Sequence, residues 1–501
     1  MAHLVLKTDH YKFTMAEAGW PFRHETFYYS HRRGGPHLLP FDPKEEIKKL
    51  NPFNGLSESL SAYKWLEEKN GTPFGAWLKG LTKEHFDKLQ VQAPPVGSWI
   101  CDRDPMFVVS GPSFAVSWLE PLVLQWNYRI QIATLAANDP AALQKEVETV
   151  TSEDQKLIIQ ETVEVVRRLG YTVPELTIEI KEFEYYNHVF NKVKELIEVV
   201  GDPNRIFEVG MRGVSCEDQH MIALEAARDS GGVYEGLKAT SNVGAAMALG
   251  LKSVGTMGHE HVQRFGSDEA AYRAMVERLP GSVFFLLDTF HTLSSGIPAA
   301  FKIIEEQPER GHAVRFDSGD IRGQFIHAVR LAKKMGIKPK FCLEDGWNLE
   351  KTIEFEALRK ELDLPREQVL YGYGGYIVNS PFTTLTRDRV SAVWKLTQTG
   401  DTPTMKFGSE HGKGKESIPG RPILYWSEDG TYIMQRGEKV PIQFANYECS
   451  FSEGGRKLPN YNRLNLAHDK YYSGLYSPGT KALVRHLTEK RNRIIKDIKN
   501  A

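Results

Sequence analysis

The spacing of hydrophobic and polar residues divides the chain into stretches of different character. Up to about residue 120 the pattern is irregular and rich in Pro, Gly and aromatic residues. Residues 118–137 then carry apolar side chains at helical spacing, which predicts one buried helix. Residues 141–169 and 186–200 carry charges opposite their apolar faces and predict two surface helices. After residue 380 the chain becomes more basic, and its end predicts strands and a basic helix over residues 477–500.

From residue 205 onward, short apolar runs alternate with helical patterns. Strands that alternate with helices are typical of βαβ units and predict a parallel sheet. Seven such units with one long first helix indicate an irregular α/β barrel. The runs are RIFEVGMRG from Arg205, GLKATS from Gly236, SVGTMG from Ser253, VFFLLDTF from Val283, HAVRFDSGD from His312, KFCLEDG from Lys340 and VLYGYGG from Val369.

Six of these seven runs end in hydrophilic side chains, and the seventh ends in glycines. One or two polar ends would be uninformative because loops are solvated, but six of seven indicate a shared polar cavity. In α/β barrels the active site lies at this carboxyl-terminal edge. The residues are Arg212, Thr240, Ser241, His259, Asp288, Asp317, Asp320 and Asp345, followed by Gly372, Gly374 and Gly375.

Composition narrows the classes of function. Lys and Arg number 63 against 64 Asp and Glu, so a broad nucleic-acid-binding surface is not expected. The four cysteines lie far apart, which is typical of a reducing compartment rather than of a disulfide or zinc framework. No run is long and apolar enough to span a membrane, and the N-terminus lacks the apolar core of a signal peptide. We therefore expect a cytoplasmic protein.

Several runs have the composition of a phosphate site. Glycines at 374 and 375 allow backbone N–H groups to approach a phosphate closely, although glycines also make ordinary turns. Arg315 could clamp a phosphate or a carboxylate, and Asp317 could accept hydrogen bonds from ribose hydroxyls, against the alternative of a charged turn. Basic loops are further candidates for a polyphosphate, against a merely solvated face, and they contain Arg32, Arg33, Lys395, Lys406, Lys413 and Lys415.

His259 and His261 follow the third run, and three interpretations of them stay open. A lone histidine is most often structural, His-x-His spacing also suits two imidazoles on one metal ion, and a histidine here could act as a nucleophile or acid–base group. Asp288, His291 and His312 are further potential ligands. The identity of any metal is unknown from the sequence.

Together these motifs resemble one family, the nicotinate phosphoribosyltransferases. Thr8 to Met15 resembles the TD-x-Y-x-x-TM segment of that family. The matches run in order from about residue 8 to 422, which makes the ordered set specific although each motif is weak. The other matching segments are residues 27–33 (aromatic, then RR), 207–212 (E-x-G-x-R), 239–243 (TSNV), 255–260 (GT-x-A-H), 287–293 (DT-x-x-TL), 314–322 (R-x-DSGD) and 395–420 (K…MK…K…PG).

The resemblance implies a type II phosphoribosyltransferase fold, an irregular α/β barrel with a second α/β domain built from both chain ends. On this expectation residues 1–125 form the N-terminal part of the second domain. Residues 126–382 form the barrel with the phosphoribosyl site, and residues 383–501 form the C-terminal part of the second domain. The resemblance also implies a homodimer whose active site is completed across the subunit interface.

The activity that the resemblance implies is the formation of nicotinate mononucleotide and pyrophosphate from nicotinate and phosphoribosyl pyrophosphate, for NAD biosynthesis. The resemblance further implies that ATP would be a co-substrate that phosphorylates His259, and that Mg²⁺ would assist. The catalytic residues would be His259, Asp317 and Arg315. Tyr11 would stack on the pyridine ring from the neighbouring subunit. Arg212 and Arg315 would bind the substrate phosphate and carboxylate. Asp317 and Asp345 would hold the ribose or the metal. Gly374 and Gly375 would bind the 5′-phosphate.

The chain departs from the family pattern at positions that bear on the substrate. Gly258 replaces an Ala, His261 is extra, and Val209 stands where many relatives carry an aromatic residue. Relatives that use the amide carry an Asp at the position of Ser241, whereas a Ser can donate to a carboxylate without repelling it. We therefore expect nicotinate as the substrate. The alternatives are a nicotinamide phosphoribosyltransferase and a metal-dependent barrel hydrolase built on His259 and His261.

Overall fold

A computed structural model describes residues 4–53, 65–66, 68, 76–231, 235–407, 416–427, 430–440, 448–451, 457–458 and 472–500. In chain order the strands are β1 (His24–Ser30), β2 (His37–Leu38), β3 (Gln90–Gln92), β4 (Trp99–Ile100), β5 (Phe107–Pro112), β6 (Thr149–Val150), β7 (Glu179–Ile180), β8 (Ile206–Glu208), β9 (Ala239–Thr240), β10 (Lys252–Ser253), β11 (Phe284–Leu286), β12 (Ala313–Phe316), β13 (Lys340–Leu343), β14 (Val369–Tyr373), β15 (Val393–Thr399), β16 (Thr402–Pro403), β17 (Pro422–Ser427), β18 (Gly430–Gln435), β19 (Glu448–Cys449) and β20 (Tyr472–Tyr476).

Helices separate most of these strands. In chain order they are α1 (His10–Glu17), α2 (Pro43–Lys49), α3 (Ala76–Lys79), α4 (Lys83–Asp87), α5 (Ser113–Trp118), α6 (Glu120–Gln125), α7 (Asn127–Asn138), α8 (Pro140–Val147), α9 (Glu153–Arg168), α10 (Glu182–Val200), α11 (Glu217–Asp229), α12 (Val243–Leu249), α13 (His259–Phe265), α14 (Asp268–Arg278), α15 (Ile297–Glu306), α16 (Ile321–Met335), α17 (Leu349–Glu361), α18 (Gly375–Val378), α19 (Arg387–Val390) and α20 (Pro478–Asn500).

The central sheet contains all seven strands that the sequence predicts between residues 205 and 375. Its order is β10-β9-β8-β14-β13-β12-β11, and every neighbouring pair is parallel. β10 and β11 are the edges of this order, yet His259 just beyond β10 lies 3.0 Å from Thr289 just beyond β11. The sheet is therefore curled, so that its two edges meet without pairing among the described residues. This confirms the irregular α/β barrel.

Local signals explain where the barrel helices begin and end. Asn242 and Asp320 cap α12 and α16 by accepting hydrogen bonds from Ala245 N and Gly323 N. Such caps satisfy backbone donors that the first helical turn leaves unpaired. At the other end, Gly266 has a φ of 75° just after α13. Only glycine adopts this left-handed conformation at little cost, so the helix ends there.

A second sheet joins the two ends of the chain. Its order is β16-β15-β1-β5-β3 and its neighbouring strands are antiparallel. The central pair joins β1, near the N-terminus, to β15, which follows the barrel. A further sheet, in the order β19-β17-β18-β20, continues the C-terminal part. The predicted unit built from both chain ends is therefore present.

The helices before the barrel differ from the sequence-based prediction. The single helix expected over residues 118–137 is divided into α6 and α7 at Trp126, and α5 precedes them. The helix expected over residues 141–169 is divided by β6, which pairs with β7. Ser152 then caps α9 by accepting from Gln155 N, so a new helix starts where the periodicity appeared continuous. The terminal basic helix is α20, as predicted.

Two expectations about the whole chain can be compared with the structure. None of the helices in the described part of the chain combines the length and apolarity needed to cross a bilayer. No disulfide joins any two of Cys101, Cys216, Cys342 and Cys449.

Candidate active site

A cavity of about 570 Å³ lies at the carboxyl-terminal edge of the barrel strands. Its wall contains residues that follow five of the seven strands, and residues from both chain ends complete it. The barrel contributes Gly210 and Arg212 after β8, His259 after β10, Asp317 after β12, Asp345 after β13 and Gly374 with Gly375 after β14, while the chain ends contribute Tyr11, Arg32, Arg33, Arg387, Lys395 and Lys406.

Ser241 does not line this cavity. It is buried behind the wall with 2% exposure, and its hydroxyl donates to Asp9 Oδ1 at 2.6 Å. The reason is that the N-terminal segment docks onto the end of β9, where His10 N donates to Ser241 O and Asp9 forms a bridge with Asn242. In the structure Ser241 therefore has no direct access to the cavity, and its role in substrate choice stays a prediction. Burial raises the pKa of Asp9, although Arg212 and the bond from Ser241 oppose the rise.

His259 is the centre of a polar cluster in the cavity wall. Its Nδ1 lies 3.0 Å from Thr289 Oγ1, and its Nε2 lies 2.6 Å from Lys406 Nζ and 3.4 Å from Asp317 Oδ2. The short Lys406 contact requires Nε2 to accept, so the proton of the neutral ring is on Nδ1. Burial and the Lys406 ammonium lower the pKa of His259 to about 4. The imidazole is therefore neutral at pH 7, with the lone pair of Nε2 directed at Lys406.

Two carboxylates hold Lys406 and His259 in this arrangement. Asp288 Oδ2 lies 3.5 Å from Lys406 Nζ, and Asp288 Oδ1 lies 3.7 Å from His259 Nε2. Burial would raise the pKa of Asp288, but Lys406 and His259 outweigh burial and lower it. The pKa of Asp317 is likewise held well below its ordinary value, because Arg315 and His259 outweigh the effect of burial. Both acids are therefore ionised at neutral pH.

The metal-site interpretation of the two histidines is not supported by their geometry. His261 is fully buried, its Nε2 bonds Ala271 O at 2.9 Å, and it does not line the cavity. Side chains two residues apart on a helix, such as those at 259 and 261, point in different directions, so the two rings are separated. His291 bonds Ser294 nearby, and His312 accepts from Val283 N at the opposite, amino-terminal edge of the sheet.

His259, Asp288 and Asp317 do offer ligand atoms within 4.8 Å of one another. The Lys406 ammonium contacts both His259 and Asp288, however, and its positive charge would repel a metal cation bound between these residues. This cluster therefore fits a lysine–histidine–carboxylate network better than a resident metal ion.

Arg315 is fixed by two acids on neighbouring strands. Its Nη2 donates to Asp317 Oδ1 at 2.5 Å, and its Nε lies 3.0 Å from Glu344 Oε2. Nη1 donates to Thr256 Oγ1 at 2.5 Å. Burial raises the pKa of Glu344, while Arg315 opposes the rise. These contacts place one guanidinium rigidly in the cavity wall, which is the preorganisation that anion recognition requires.

The wall opposite the barrel strands is formed by the N-terminal segment. Tyr11 donates from its hydroxyl to Glu120 Oε2 at 2.9 Å, and Lys12 forms ion pairs with Glu120 and with Glu260. Arg212 Nη1 lies 3.6 Å from Glu120 Oε1. Burial would raise the pKa of Glu120, but Lys12 and Arg212 lower it to about 2. Tyr11 thus lines the cavity of its own chain, whereas the resemblance implied that it comes from a neighbouring subunit.

A group of cations makes the cavity suitable for a polyphosphate. Burial, with Lys406 and Arg32 nearby, lowers the pKa of Lys395 to about 7. A lysine at that pKa is ready to take up a proton when an anion binds, because an anion favours its charged form. The cations in the wall are Arg32, Arg33, Arg212, Arg315, Arg387, Lys395 and Lys406. Lys413 and Lys415, which the sequence also suggested, lie outside the described residues.

Sequence reasoning missed several acids of the cavity and misassigned one. Glu344 precedes Asp345 at the end of β13, and the alternation of side chains along the strand could have identified it. Glu120 gives no such signal, since it lies on a short helix that is far from the barrel strands in the sequence. Asp320 is exposed and caps α16 instead of entering the cavity.

Comparison with curated proteins finds nicotinate phosphoribosyltransferases. The chain is 26% identical over 273 residues to that of Bacillus subtilis, an alignment that covers 52% of each chain. It is 38% identical over 242 residues to one from Mycobacterium tuberculosis, which covers 44% of this chain and 48% of the relative. The alignments therefore span about half the length of these relatives. No family model matches the chain.

The fold is also found among solved structures. A nicotinate phosphoribosyltransferase from Porphyromonas gingivalis superposes with a TM-score of 0.56, at 19% sequence identity. The superposition covers 82% of this chain and 95% of the other. This likeness establishes the fold of the chain as the one seen in that enzyme.

Proposed function

We propose that this chain is a nicotinate phosphoribosyltransferase, which forms nicotinate mononucleotide and pyrophosphate from nicotinate and phosphoribosyl pyrophosphate with hydrolysis of ATP. The observation that carries this proposal is the cavity at the carboxyl-terminal edge of the barrel. There a neutral histidine, held between Lys406 and two ionised aspartates, faces a wall of arginines and lysines. The similarity to curated enzymes of this name supports the substrate assignment.

The arginines would bind the charged ends of the substrates. Arg315, held by Asp317 and Glu344, and Arg212, beside Glu120, would take the phosphate of the phosphoribosyl group and the nicotinate carboxylate. Tyr11 would contact the pyridine ring, and Asp317 and Asp345 would accept hydrogen bonds from the ribose. Gly374 and Gly375 would receive the 5′-phosphate, because the space beside Gly374 is open where a Cβ would lie.

The transfer step is a displacement at the anomeric carbon. The pyridine nitrogen forms the new C–N bond as the bond from carbon to the pyrophosphate oxygen breaks. Negative charge then grows on the leaving group, and Lys395, Arg32 and Arg33 line the cavity where they would stabilise it. Nicotinate is a weak nucleophile, so holding both substrates in line should supply much of the rate enhancement.

ATP would act through His259. In a phosphoryl transfer, the imidazole nitrogen would attack the γ-phosphorus and ADP would leave, giving a phosphohistidine whose hydrolysis releases phosphate. A nucleophilic imidazole must be neutral, and the low pKa of His259 provides this at pH 7. Lys406, in contact with Nε2, would move from the lone pair to the incoming phosphate oxygens.

Mg²⁺ belongs to this proposal as the ion that accompanies both polyphosphate substrates. It prefers oxygen ligands and usually keeps few protein contacts when bound to phosphates. The exposed carboxylate of Asp345 lies in the cavity wall, has the oxygen donors that suit this ion, and would hold it together with the substrate phosphates. When bound, the ion would neutralise charge on the leaving pyrophosphate.

A homodimer and a cytoplasmic location are further parts of the proposal. The homodimer rests on the family resemblance. The location is consistent with four cysteines that form no disulfide with one another, as expected for a protein kept in a reducing compartment.

Nicotinamide is the second candidate substrate. An acid close to Ser241 could accept from an amide NH₂ group, and the Asp9 carboxylate lies 2.6 Å from the Ser241 hydroxyl. Both side chains are buried and do not line the cavity, so Asp9 would reach an amide only if the N-terminal segment moved. In contrast, the seven Arg and Lys side chains among the described residues of the cavity wall favour a substrate with a carboxylate.

The test is product formation from phosphoribosyl pyrophosphate, with nicotinate and nicotinamide in parallel and each with and without ATP. We expect turnover of nicotinate that increases with ATP. Turnover of nicotinamide alone would retain the phosphoribosyl transfer and reject the acid substrate. Turnover of neither base, together with stoichiometric zinc or iron in the purified protein, would favour the hydrolase instead.

A further inference from the structure

A second cavity, of about 240 Å³, lies against the last turn of α13, the helix that begins at His259. Gln263 lines both this cavity and the first one. The opposite walls come from the segment Thr402–Met405 with Phe407 and from α20. The second cavity therefore borders two segments of the catalytic network, since Lys406, which contacts His259, lies in the chain between the lining residues Met405 and Phe407.

The charged residues in the wall of the second cavity are all cations. No Asp or Glu is present among the described residues that line it. Such a wall raises the local concentration of anions. The cations are Arg23, Arg264, Lys490 and Arg491.

Arg23 lacks a full counter-charge. The nearest carboxylate is Glu25, whose Oε1 lies 3.8 Å from Arg23 Nη2. Glu25 already accepts from Arg264 at 2.9 Å, from Ser113 at 2.9 Å and from Thr399 at 2.7 Å. Arg23 Nε and Nη2 are buried and make no hydrogen bond within the described part of the chain. Buried donors without acceptors are costly, so an anion that accepts from them would be stabilised.

Gln263 is a second unsatisfied group. It is 5% exposed, and its Nε2 also makes no hydrogen bond among the described residues. The same cavity is also lined by the aromatic rings of Phe265, Phe290 and Phe407. A cavity lined by both donors with cations and apolar rings suits a ligand with an acidic group and an apolar body.

We propose that this cavity is a binding site for a small aromatic or apolar phosphate or carboxylate, separate from the substrate cavity. Its volume lies below the range of about 300–1,000 Å³ that is usual for drug-sized ligands, so the ligand is small. The acidic group binds Arg23 and Lys490, and the apolar body packs on the phenylalanine rings. The binding of this ligand does not depend on the proposed function.

Binding also couples to the catalytic network, and this second step rests on the proposed function. The ligand contacts residues 263–266 of the helix that carries His259, and residues 402–405 next to Lys406. A molecule that holds these two segments together affects the distance between His259 and Lys406. The rate of phosphorylation of His259 by ATP therefore changes when the site is filled.

Titration calorimetry of the full chain with phenyl phosphate, without substrates, tests the site. The variants Arg23→Gln and Lys490→Gln should each bind at least about tenfold more weakly, as expected for the loss of a charge-assisted contact. Lys490 is exposed on α20, so its replacement tests the site without a risk to folding. Arg330→Gln, which removes an exposed arginine that lines neither cavity, should bind as the unmodified chain does.

Inorganic phosphate tests the apolar wall. It should bind roughly tenfold or more weakly than phenyl phosphate, because it lacks the ring that the phenylalanines bury. Binding that is lost only in Arg212→Gln would place phenyl phosphate in the first cavity and overturn the proposal. The absence of binding at millimolar phenyl phosphate would overturn it as well.

The coupling is tested by the rate of ³²P transfer from γ-labelled ATP to the protein. Phenyl phosphate should change this rate at least twofold in the unmodified chain and leave it unchanged in Lys490→Gln. Binding without any change in the rate would overturn the coupling and retain the site. If no ³²P transfer occurs at all, the phosphohistidine step of the proposed function is wrong, while the calorimetry still tests whether the binding site exists.

Discussion

At the scale of single residues, the environment of His259 gives the proposed ATP step its chemistry. A free imidazole is about half protonated near pH 6.5, and only the neutral form is a nucleophile. Burial and the neighbouring Lys406 keep this imidazole neutral, while Asp288 forms an ion pair with the lysine. The carboxylates alone would raise the pKa of the histidine, and burial together with the Lys406 ammonium outweighs them, which makes the residue suitable for phosphorylation.

Removing the imidazole separates phosphorylation from transfer. We expect His259→Ala to take up no ³²P from γ-labelled ATP and to form nicotinate mononucleotide at a rate that ATP no longer increases, so that the ratio of rates with and without ATP is about 1. His327→Ala is the matched control, because His327 is exposed on α16 and does not line the cavity. Persistent labelling of His259→Ala would assign the phosphate to another residue.

Removing the lysine tests the electrostatic argument. Lys406 lowers the pKa of His259, whereas Asp288 and Asp317 raise it, so Lys406→Met should raise that pKa above about 4. The phosphorylation rate falls as the imidazole takes up its proton, so the acid limb of the pH–rate profile should move to higher pH. NMR titration of isotopically labelled histidine measures the pKa directly.

The matched variant for this experiment is Lys406→Arg, which keeps the positive charge next to the imidazole. It should leave the pKa of His259 close to that of the unmodified chain. A pKa of His259 that is the same in Lys406→Met and in the unmodified chain would contradict the proposed role of the lysine.

At the scale of elements, β14 and the loop after it show two different uses of glycine. A Cβ on Gly372 would lie 2.6 Å from Glu344 Cγ and 2.9 Å from Phe207 Cε2, inside the barrel. A Cβ on Gly374 would meet only Val209 O, at 3.7 Å, and otherwise project into the cavity. The first glycine is thus required by packing, and the second leaves room for a ligand.

Alanine at the two positions should therefore have opposite effects. We expect Gly372→Ala to lower the free energy of unfolding by about 1–3 kcal/mol, since the added methyl group would overlap with Glu344 and Phe207. Gly374→Ala should unfold nearly as the unmodified chain does, yet show a KM for phosphoribosyl pyrophosphate raised at least about tenfold. Urea denaturation and steady-state kinetics of both variants check this. A normal KM in Gly374→Ala would remove the loop from the phosphate site.

The helices and strands also show which parts of the fold could be predicted from the sequence. All seven barrel strands were predictable, because buried parallel strands are short apolar runs that end in polar residues. The divided helices were not, since Trp126 keeps helical dihedrals and interrupts no apolar periodicity. Within the site, residues at strand ends were identified, whereas Glu120 was not and Ser241 was misplaced. Both depend on where the N-terminal segment docks, which is a tertiary contact without a local signal.

At the scale of the whole molecule, we retain the division into residues 1–125, 126–382 and 383–501 as a proposal. The two largest hydrophobic clusters follow it in the main. One joins residues of both chain ends, such as Phe27, Trp394 and Leu424, and takes in Val243 of the barrel. The other gathers mostly barrel residues and takes in Met15. The candidate active site lies where these two units meet, since His259 comes from one unit and Lys406 from the other.

The subunit that provides Tyr11 determines how the active sites of a dimer are assembled. In the structure Tyr11 contacts Glu120 of its own chain, and the preceding Asp9 bonds Ser241 of the same chain. Co-expression of Tyr11→Ala, which removes the proposed ring contact, with His259→Ala, which removes the proposed phosphorylation by ATP, tests this arrangement. If each site uses its own Tyr11, every site in a mixed dimer carries one defect, and we expect the ATP-stimulated activity to stay lost.

The alternative arrangement, in which Tyr11 serves the partner's site, predicts a specific recovery of activity. If Tyr11 served the partner's site, half of the molecules would be mixed dimers, and each would have one site without a defect, which restores about a quarter of the full activity. Co-expression of His259→Ala with Lys406→Ala is the matched control, because the Nε2–Nζ distance of 2.6 Å places both residues in one site of one chain. Recovery in both mixtures would mean that the chain ends exchange between subunits as a unit, since Tyr11 and Lys406 lie on the same two-ended domain. Recovery with Tyr11→Ala alone would mean that only the N-terminal segment crosses the interface.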